Sequence, residues 1–213
     1  MTKFIPFPNK KYNIIYADPP WLYNDKSCIG AVKRAQTSHT YSTININDLK
    51  ELPVNDITDN NCILFLWATY PLIVEALDLI KSWGFVYKSI GFQWIKINKK
   101  SKGYFYGLGR WTRGNTEPCL IATKGKPKRV SSDVFQIIEY PNYGHSAKPP
   151  STRDKIIKLV GPLPRIELFS RDIVKGWDAW GNEIPPNGVH LADNYDFSNE
   201  IIYSAKNDLP RLF

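Results

Sequence analysis

The run Tyr12-Asn13-Ile14-Ile15-Tyr16-Ala17 ends abruptly in Asp18-Pro19-Pro20-Trp21. Its β-branched and aromatic residues read as a buried strand. The two prolines fix φ and cannot donate to a ladder, so the strand must stop there in a stiff turn that offers mainly carbonyls. A second run, Cys62-Ile63-Leu64-Phe65-Leu66-Trp67, is almost continuously apolar, the pattern of a strand buried on both faces as in a parallel sheet. Such strands need helices above and below them, which restricts the chain to an α/β architecture. Asp18 then stands at the carboxyl end of its strand, where ligands bind in open α/β sheets.

The rest of the chain is consistent with that frame. Residues 1–11 read as a polar lead-in, and Asn47 to Leu52 as one or two helical turns capped by Asn45 or Asn47. A helix is expected after Trp67, with Pro71 in its first turn and Gly84 just past its end. Its apolar face would be Leu72, Ile73, Ala76, Leu77, Ile80 and Trp83. Phe85 to Ile97 and Pro118 to Lys124 read as strands. Pro149 or Pro150 opens another helix, with Ile156, Ile157, Leu159 and Val160 inward and Gly161 ending it. Arg165 to Arg171 is a further strand, and Asp178-Ala179-Trp180 leads into Gly181-Asn182-Glu183.

A length of 213 residues suits one domain, with a core at about 12–183 and an extension at 184–213. Cys28, Cys62 and Cys119 are odd in number and widely spaced. They predict reduced thiols, with Cys62 and Cys119 in the core, and no metal site or disulfide framework. No leader and no membrane-spanning apolar run is visible, so a cytoplasmic protein is expected, with no membrane partner. The net charge of +8 favours a polyanion as partner.

The turn at Asp18 suggests methylation of an amino group conjugated to a ring. Such a nitrogen is a poor nucleophile because its lone pair is delocalised. Two acceptors, the Asp18 carboxylate and the Pro19 carbonyl, would draw the amino hydrogens and push the nitrogen toward tetrahedral geometry. Trp21 would offer a flat face to a base taken out of its stack. The same tetrapeptide also fits an ordinary Asx-Pro turn, so its context must decide.

Between Lys96 and Arg129 stand ten Lys or Arg and one acid, Glu117. Tyr104, Phe105, Tyr106 and Trp111 are interleaved, with glycines at 103, 107, 109 and 114. Cations hold phosphates and aromatic rings stack on bases, so this stretch predicts nucleic-acid contact through Tyr104, Arg110, Trp111 and Arg113 with Glu117 among them. The polar segment from Leu22 to Ile46 reads as a substrate loop, with Tyr23, Lys33, Arg34, His39 and Tyr41 as its candidates, His39 fitting a solvated loop residue slightly better. There is no Gly-x-Gly-x-x-Gly, so a dinucleotide is not expected. Lys148 and Asp18 suit the carboxylate and ammonium of an amino acid, and Asn182 and Glu183 suit ribose hydroxyls.

In order along the chain come Asp-Pro-Pro-Trp, His145-Ser146-Ala147-Lys148-Pro149, Ile166-Glu167-Leu168-Phe169-Ser170-Arg171 and Gly176-Trp177 through Trp180-Gly181-Asn182-Glu183. This series resembles the family of the mRNA adenosine methyltransferase catalytic subunit and its compact bacterial and phage relatives, over residues 12–183. Gly109-Arg110-Trp111-Thr112-Arg113, Glu117 and Lys124-Gly125 resemble the prokaryotic branch. The resemblance implies a Rossmann-like S-adenosylmethionine-dependent methyltransferase fold, mostly parallel with helices on both faces, in permuted order with the catalytic strand ahead of the cofactor strand. It implies Asp18, Pro19, Pro20 and Trp21 as the catalytic turn, and Asp18, Lys148, Phe169, Arg171, Asn182 and Glu183 at S-adenosylmethionine, with no metal. Relatives often carry Gln where Glu183 stands, and the usual glycine-rich cofactor loop is replaced here by Leu168-Phe169-Ser170-Arg171.

The implied function is adenine-N6 methylation of DNA by a stand-alone prokaryotic or phage enzyme, with a homodimer or heterodimer as possible assemblies. RNA is the alternative polymer. Cytosine N4 or a glutamine amide would more usually go with Ser or Asn in place of Asp18. A catalytically silent nucleic-acid-binding subunit would tend to have lost the acidic tetrapeptide.

Overall fold

The computed structural model describes residues 4–22, 43–101, 103–107, 109, 111–143 and 147–192. Its elements follow in the order β1 (Tyr12–Ala17), α1 (Ile46–Glu51), β2 (Thr58–Trp67), α2 (Ile73–Ser82), β3 (Val86–Ile97), β4 (Thr116–Lys124), β5 (Ile137–Pro141), α3 (Ser151–Val160), β6 (Arg165–Leu168), β7 (Asp178–Trp180) and β8 (Val189–His190). They form one sheet of eight strands in the order β5-β3-β4-β2-β1-β6-β7-β8. The ladders β2–β1, β1–β6, β6–β7 and β3–β5 are parallel, and β4 and β8 run against their neighbours. The sheet is thus mixed, with the expected parallel centre and antiparallel pairings toward its margins.

Two apolar clusters sandwich this sheet. Ile15, Ala17, Leu64 and Leu66 point to one face, where α1 and α2 bring Leu49, Ala76, Leu79 and Ile80. Ile14, Tyr16, Ile63, Phe65 and Trp67 point to the other, where α3 brings Ile156 and Val160. Strand alternation explains the division, since successive residues face opposite ways and the central strands are covered twice. Cys62 and Cys119 are both buried free thiols. Burial pushes the Cys62 thiol up to about 12.

Some boundaries differ from the sequence expectation. A 3₁₀ turn at Tyr70–Leu72 precedes α2. Leu77 is 37% exposed, while Leu79 is fully buried. The inward stripe runs through Leu72, Ile73, Ala76, Leu79, Ile80 and Trp83, and Leu77 lies at its edge. The strand expected over 165–171 ends at Leu168, because Phe169 adopts φ 61° and breaks the extended path. The lead-in is tied down: Phe4, Ile5 and Phe7 pack on the first cluster. Lys10 Nζ and Tyr12 OH both donate to Asp178 Oδ2, at 2.7 and 2.6 Å. Residues beyond 183 begin within the sheet, through the β7–β8 pairing. Among the described residues no helix is long and apolar enough to cross a membrane.

Candidate active site

The chain leaves β1 toward β2 on one side and returns through β6 and β7 on the other. That reversal opens a crevice at the carboxyl ends of β1 and β6, the position that open α/β sheets use for ligands. Asp18 sits at this point, directly after β1. The turn is pinned from several sides. Trp21 N donates to the Pro19 carbonyl at 2.9 Å, and Ile44 N donates to the Pro20 carbonyl at 3.0 Å. Trp21 and Ile44 form an isolated parallel bridge.

Trp21 departs from its expected role as an open stacking face. It is 8% exposed and belongs to the first core cluster. Its Nε1 donates to the Trp67 carbonyl at 3.1 Å. The ring is a peg that fixes the turn against β2, and sequence alone does not reveal which way a turn residue faces. The Pro19 carbonyl already accepts one hydrogen bond and keeps a second lone pair for another donor.

Asp18 belongs to a partly buried chain of alternating charge whose centre, Lys148 and Glu117, is the most enclosed. Lys148 Nζ donates to Asp18 Oδ2 at 2.7 Å and lies 3.1 Å from Glu117 Oε1. Lys96 Nζ closes the series 2.8 Å from Glu117 Oε2. Trp67 and Trp94 line it, with the Lys148 and Lys96 ammoniums 5.6 and 4.7 Å from their ring centroids. Four elements contribute: the end of β1, the end of β3, the start of β4 and the segment leading into α3. Burial raises the Asp18 pKa, Lys148 draws it back and Glu117 pushes it up again. For Lys148, burial works against the ammonium, but the two carboxylates outweigh it and the net shift is upward. Glu117, expected among the nucleic-acid contacts, is buried inside this cluster instead. It is the lone acid in a stretch of cations, the signal from which a buried ion pair could have been read.

Behind the cluster lies a second layer that sequence reasoning missed. Trp67 Nε1 donates to Tyr16 OH at 2.7 Å. Arg153 of α3 forks onto Glu167 of β6 through Nε at 2.6 Å and Nη2 at 2.8 Å. Burial pushes the Glu167 carboxyl up, and Arg153 holds it down.

The residues expected at the cofactor line the neighbouring strand ends. Phe169 and Arg171 follow β6, and Asn182 and Glu183 follow β7. Arg171 Nε and Glu183 Oε1 are 3.5 Å apart, and Asn182 is exposed. Phe169 is the described non-glycine residue with positive φ, a strained conformation of the kind that accumulates at binding sites. Its ring meets Trp180 edge-on at 5.4 Å. The two turns approach so closely that a Cβ at Gly181 would lie 2.3 Å from the Ser170 carbonyl oxygen. A cation, carboxylates and an amide around one crevice suit a zwitterionic amino acid joined to a nucleoside, so the donor set fits S-adenosylmethionine.

Tyr104, Trp111 and Arg113 lie on the exposed β3–β4 loop. Tyr23, Lys33, Arg34, His39, Tyr41 and Arg110 fall outside the described residues, as do Cys28 and His145. Among the described residues no cluster of His, Cys, Asp and Glu has the makings of a metal site.

Comparison with known proteins identifies the family. The MT-A70 family model matches residues 12–183. The type II methyltransferase M.MunI of Mycoplasma sp. is 38% identical over 203 residues, covering 88% of this chain and 84% of its own. The N(6)-adenosine-methyltransferase MT-A70-like protein of Drosophila melanogaster is 27% identical, covering 86% of this chain but 28% of its own. The N(6)-adenine-specific methyltransferase METTL4 of Mus musculus is 30% identical over 193 residues, with 82% and 38% covered. By the family match over most of its length and the similarity to M.MunI, the chain belongs to the MT-A70 family of methyltransferases.

Proposed function

We propose that this MT-A70 methyltransferase transfers a methyl group from S-adenosylmethionine to the exocyclic N6 of adenine in DNA, at a specific site. The observation that carries the reading is the Asp18 carboxylate, placed between the end of β1 and a rigid Pro-Pro turn at the sheet's crevice and fixed by Lys148 at 2.7 Å. The match to M.MunI, which spans 84% of that relative, supports DNA over RNA. A relative named as an N6-methyladenosine RNA methyltransferase is matched over 47% of its length.

When bound, S-adenosylmethionine supplies an electrophilic methyl group on a sulfonium sulfur. Lys148, Arg171, Asn182 and Glu183 would hold its amino-acid and ribose ends. Asp18 accepts one amino hydrogen of adenine, and the Pro19 carbonyl accepts the other through its remaining lone pair. This orients the nitrogen lone pair away from the ring and toward the methyl carbon. The contribution is orientation together with preorganised charge. Methylated N6 carries a positive charge and must shed one proton. Asp18 already shares that hydrogen, and its raised pKa makes it a better proton acceptor than an exposed aspartate. Lys148 keeps the carboxylate in place without itself giving up its proton.

The test is Asp18→Ala. We expect methyl transfer to fall at least about a thousandfold, the usual scale for losing an electrostatic and acid-base group together. The melting transition and most DNA affinity should be retained. Labelled methyl transfer to duplex DNA, single-stranded DNA and RNA, followed by nucleoside mass spectrometry, provides the readout. Retained N6-methyladenine formation in the variant, or methylation of RNA alone by the wild type, overturns the assignment.

A further inference from the structure

We infer that Trp111 enters the DNA duplex at the position vacated by the flipped-out adenine, making double-stranded DNA the natural substrate. The inference rests on the adenine-methylating reading above and assigns a positioning role to a side chain that the chemistry itself does not use.

Several observations converge on Trp111. The loop that carries it rises from the rim of the active site. It leaves β3 at Ile97 and enters β4 at Thr116, one residue before Glu117, which contacts Lys148. Both stems of the loop are fixed. Ile97 and Tyr104 form an antiparallel bridge. Asn98 N donates to the Gly103 carbonyl at 2.8 Å, Phe105 N to the Lys96 carbonyl at 2.8 Å, and Lys96 N to the Asn115 carbonyl at 2.7 Å.

Beyond these anchors the loop narrows to a neck that only glycine permits. A Cβ on Gly107 would lie 2.0 Å from the Gly114 carbonyl oxygen, and one on Gly109 would lie 1.8 Å from the Thr112 carbonyl oxygen. The neck pushes residue 111 outward. Trp111 is 96% exposed, against 66% for Tyr104 and Tyr106. A shaped loop that presents a large apolar ring to water gains nothing from folding at that residue, so its apolar surface is available to a partner.

The surroundings of the ring select nucleic acid over protein. The neighbouring Arg113 guanidinium lies 4.3 Å from the Tyr106 ring centroid. Lys99 is held 4.3 Å from the Tyr143 ring centroid. A protein interface would call for a contiguous apolar core with charge kept to its rim. Here exposed aromatic rings are interleaved with cations, two of which already lie against rings, and this mixture suits bases flanked by phosphates.

The reach is also sufficient. Five residues separate Trp111 from Glu117, a span of at most about 22 Å of extended chain, while the major groove is about 8.5 Å deep. Extruding an adenine leaves two base pairs without a neighbour between them, and an indole has the shape to stack on both.

The experiment uses the full chain and a DNA site first mapped by methylation of mixed-sequence DNA. Wild type and Trp111→Ala are compared on three substrates: the intact duplex, the same duplex with an abasic residue opposite the target adenine, and the single strand. Losing one stacking partner predicts an approximately thirtyfold drop in kcat/KM on the intact duplex. That drop should shrink to within about threefold on the two substrates whose target is already unpaired. Trp111→Phe should restore part of the duplex activity. With 2-aminopurine at the target, the fluorescence rise on binding should be present for wild type and absent for Trp111→Ala.

Equal losses on all three substrates, or no loss on the duplex, overturn the inference. So does a change in molar mass by light scattering in Trp111→Ala, which would make the tip a protein interface. Failure of wild type to methylate any DNA would instead sink the adenine-DNA reading, an outcome visible before any variant is made.

Discussion

At the scale of single residues, the acidic side of the site is set by opposing neighbours of Asp18. Burial raises its pKa, Lys148 lowers it and Glu117 raises it. Asp18 works as a carboxylate, so activity is lost as pH falls through its pKa. Lys148→Met removes the lowering charge and moves the acid limb of the kcat/KM profile to higher pH. Glu117→Gln removes a raising charge and moves the limb to lower pH. The profile of kcat/KM reports the free enzyme, so the pair of opposite displacements is the measurement. A common displacement would mean that the limb belongs to another group. Asp18 and Lys148 were both legible in the sequence, because each sits in a short motif. Their meeting with Glu117 was not, since Asp18 and Glu117 are 99 positions apart and the β1–β2 and β2–β4 ladders together bring them to one end of the sheet. Trp21 shows the opposite limit: the motif identified the residue, while its direction into the core came from packing against Trp67.

Among the elements, the long periodic segments were readable and the irregular junctions were not. β1, β2 and α3 announce themselves by apolar pattern and by proline and glycine at their ends. The five-residue strand β5 and the two-residue β8 lack enough length to show a period. The end of β6 depends on the backbone of Phe169, which no propensity assigns to positive φ. The Arg153–Glu167 fork joins α3 to β6 next to that turn, and it carries a stability prediction. Arg153→Met leaves a buried carboxylate without its cation, which should cost about 3 kcal/mol in urea unfolding at neutral pH. Without Arg153 the folded-state pKa of Glu167 rises further above its unfolded value. The folded protein then takes up a proton that the unfolded chain does not, so the penalty shrinks as pH falls. Adding Glu167→Gln to Arg153→Met should recover much of the loss at neutral pH and remove its pH dependence. A penalty independent of pH would mean that Arg153 acts by packing alone.

For the molecule as a whole, the sequence contains one basic stretch from Lys96 to Arg129, but the fold divides it. The nine-residue β4 runs antiparallel to β2, pairing Trp67 with Cys119 toward the catalytic end and Cys62 with Lys124 at the other. That length sets the two halves of the stretch about 27 Å apart. Lys99, Lys100 and Arg113 stand on the side of Asp18, whereas Lys126, Lys128 and Arg129 stand at the far end of the sheet. All six are exposed, so composition gives them equal weight as phosphate partners, and only the ladder direction separates them. DNA whose adenine reaches Asp18 lies across the catalytic end and should meet the first group. Lys99→Gln with Lys100→Gln should therefore weaken DNA binding and reduce the slope of log K against log salt by about 0.9 for each phosphate no longer neutralised. Lys126→Gln with Lys128→Gln changes the net charge by the same amount and should leave the slope as it was. Because both pairs remove two charges, general attraction to a polyanion would lower both affinities alike. A slope that falls only with the second pair would place the DNA path over the amino ends of the strands, away from the crevice, and would be incompatible with Asp18 as the group that receives the adenine.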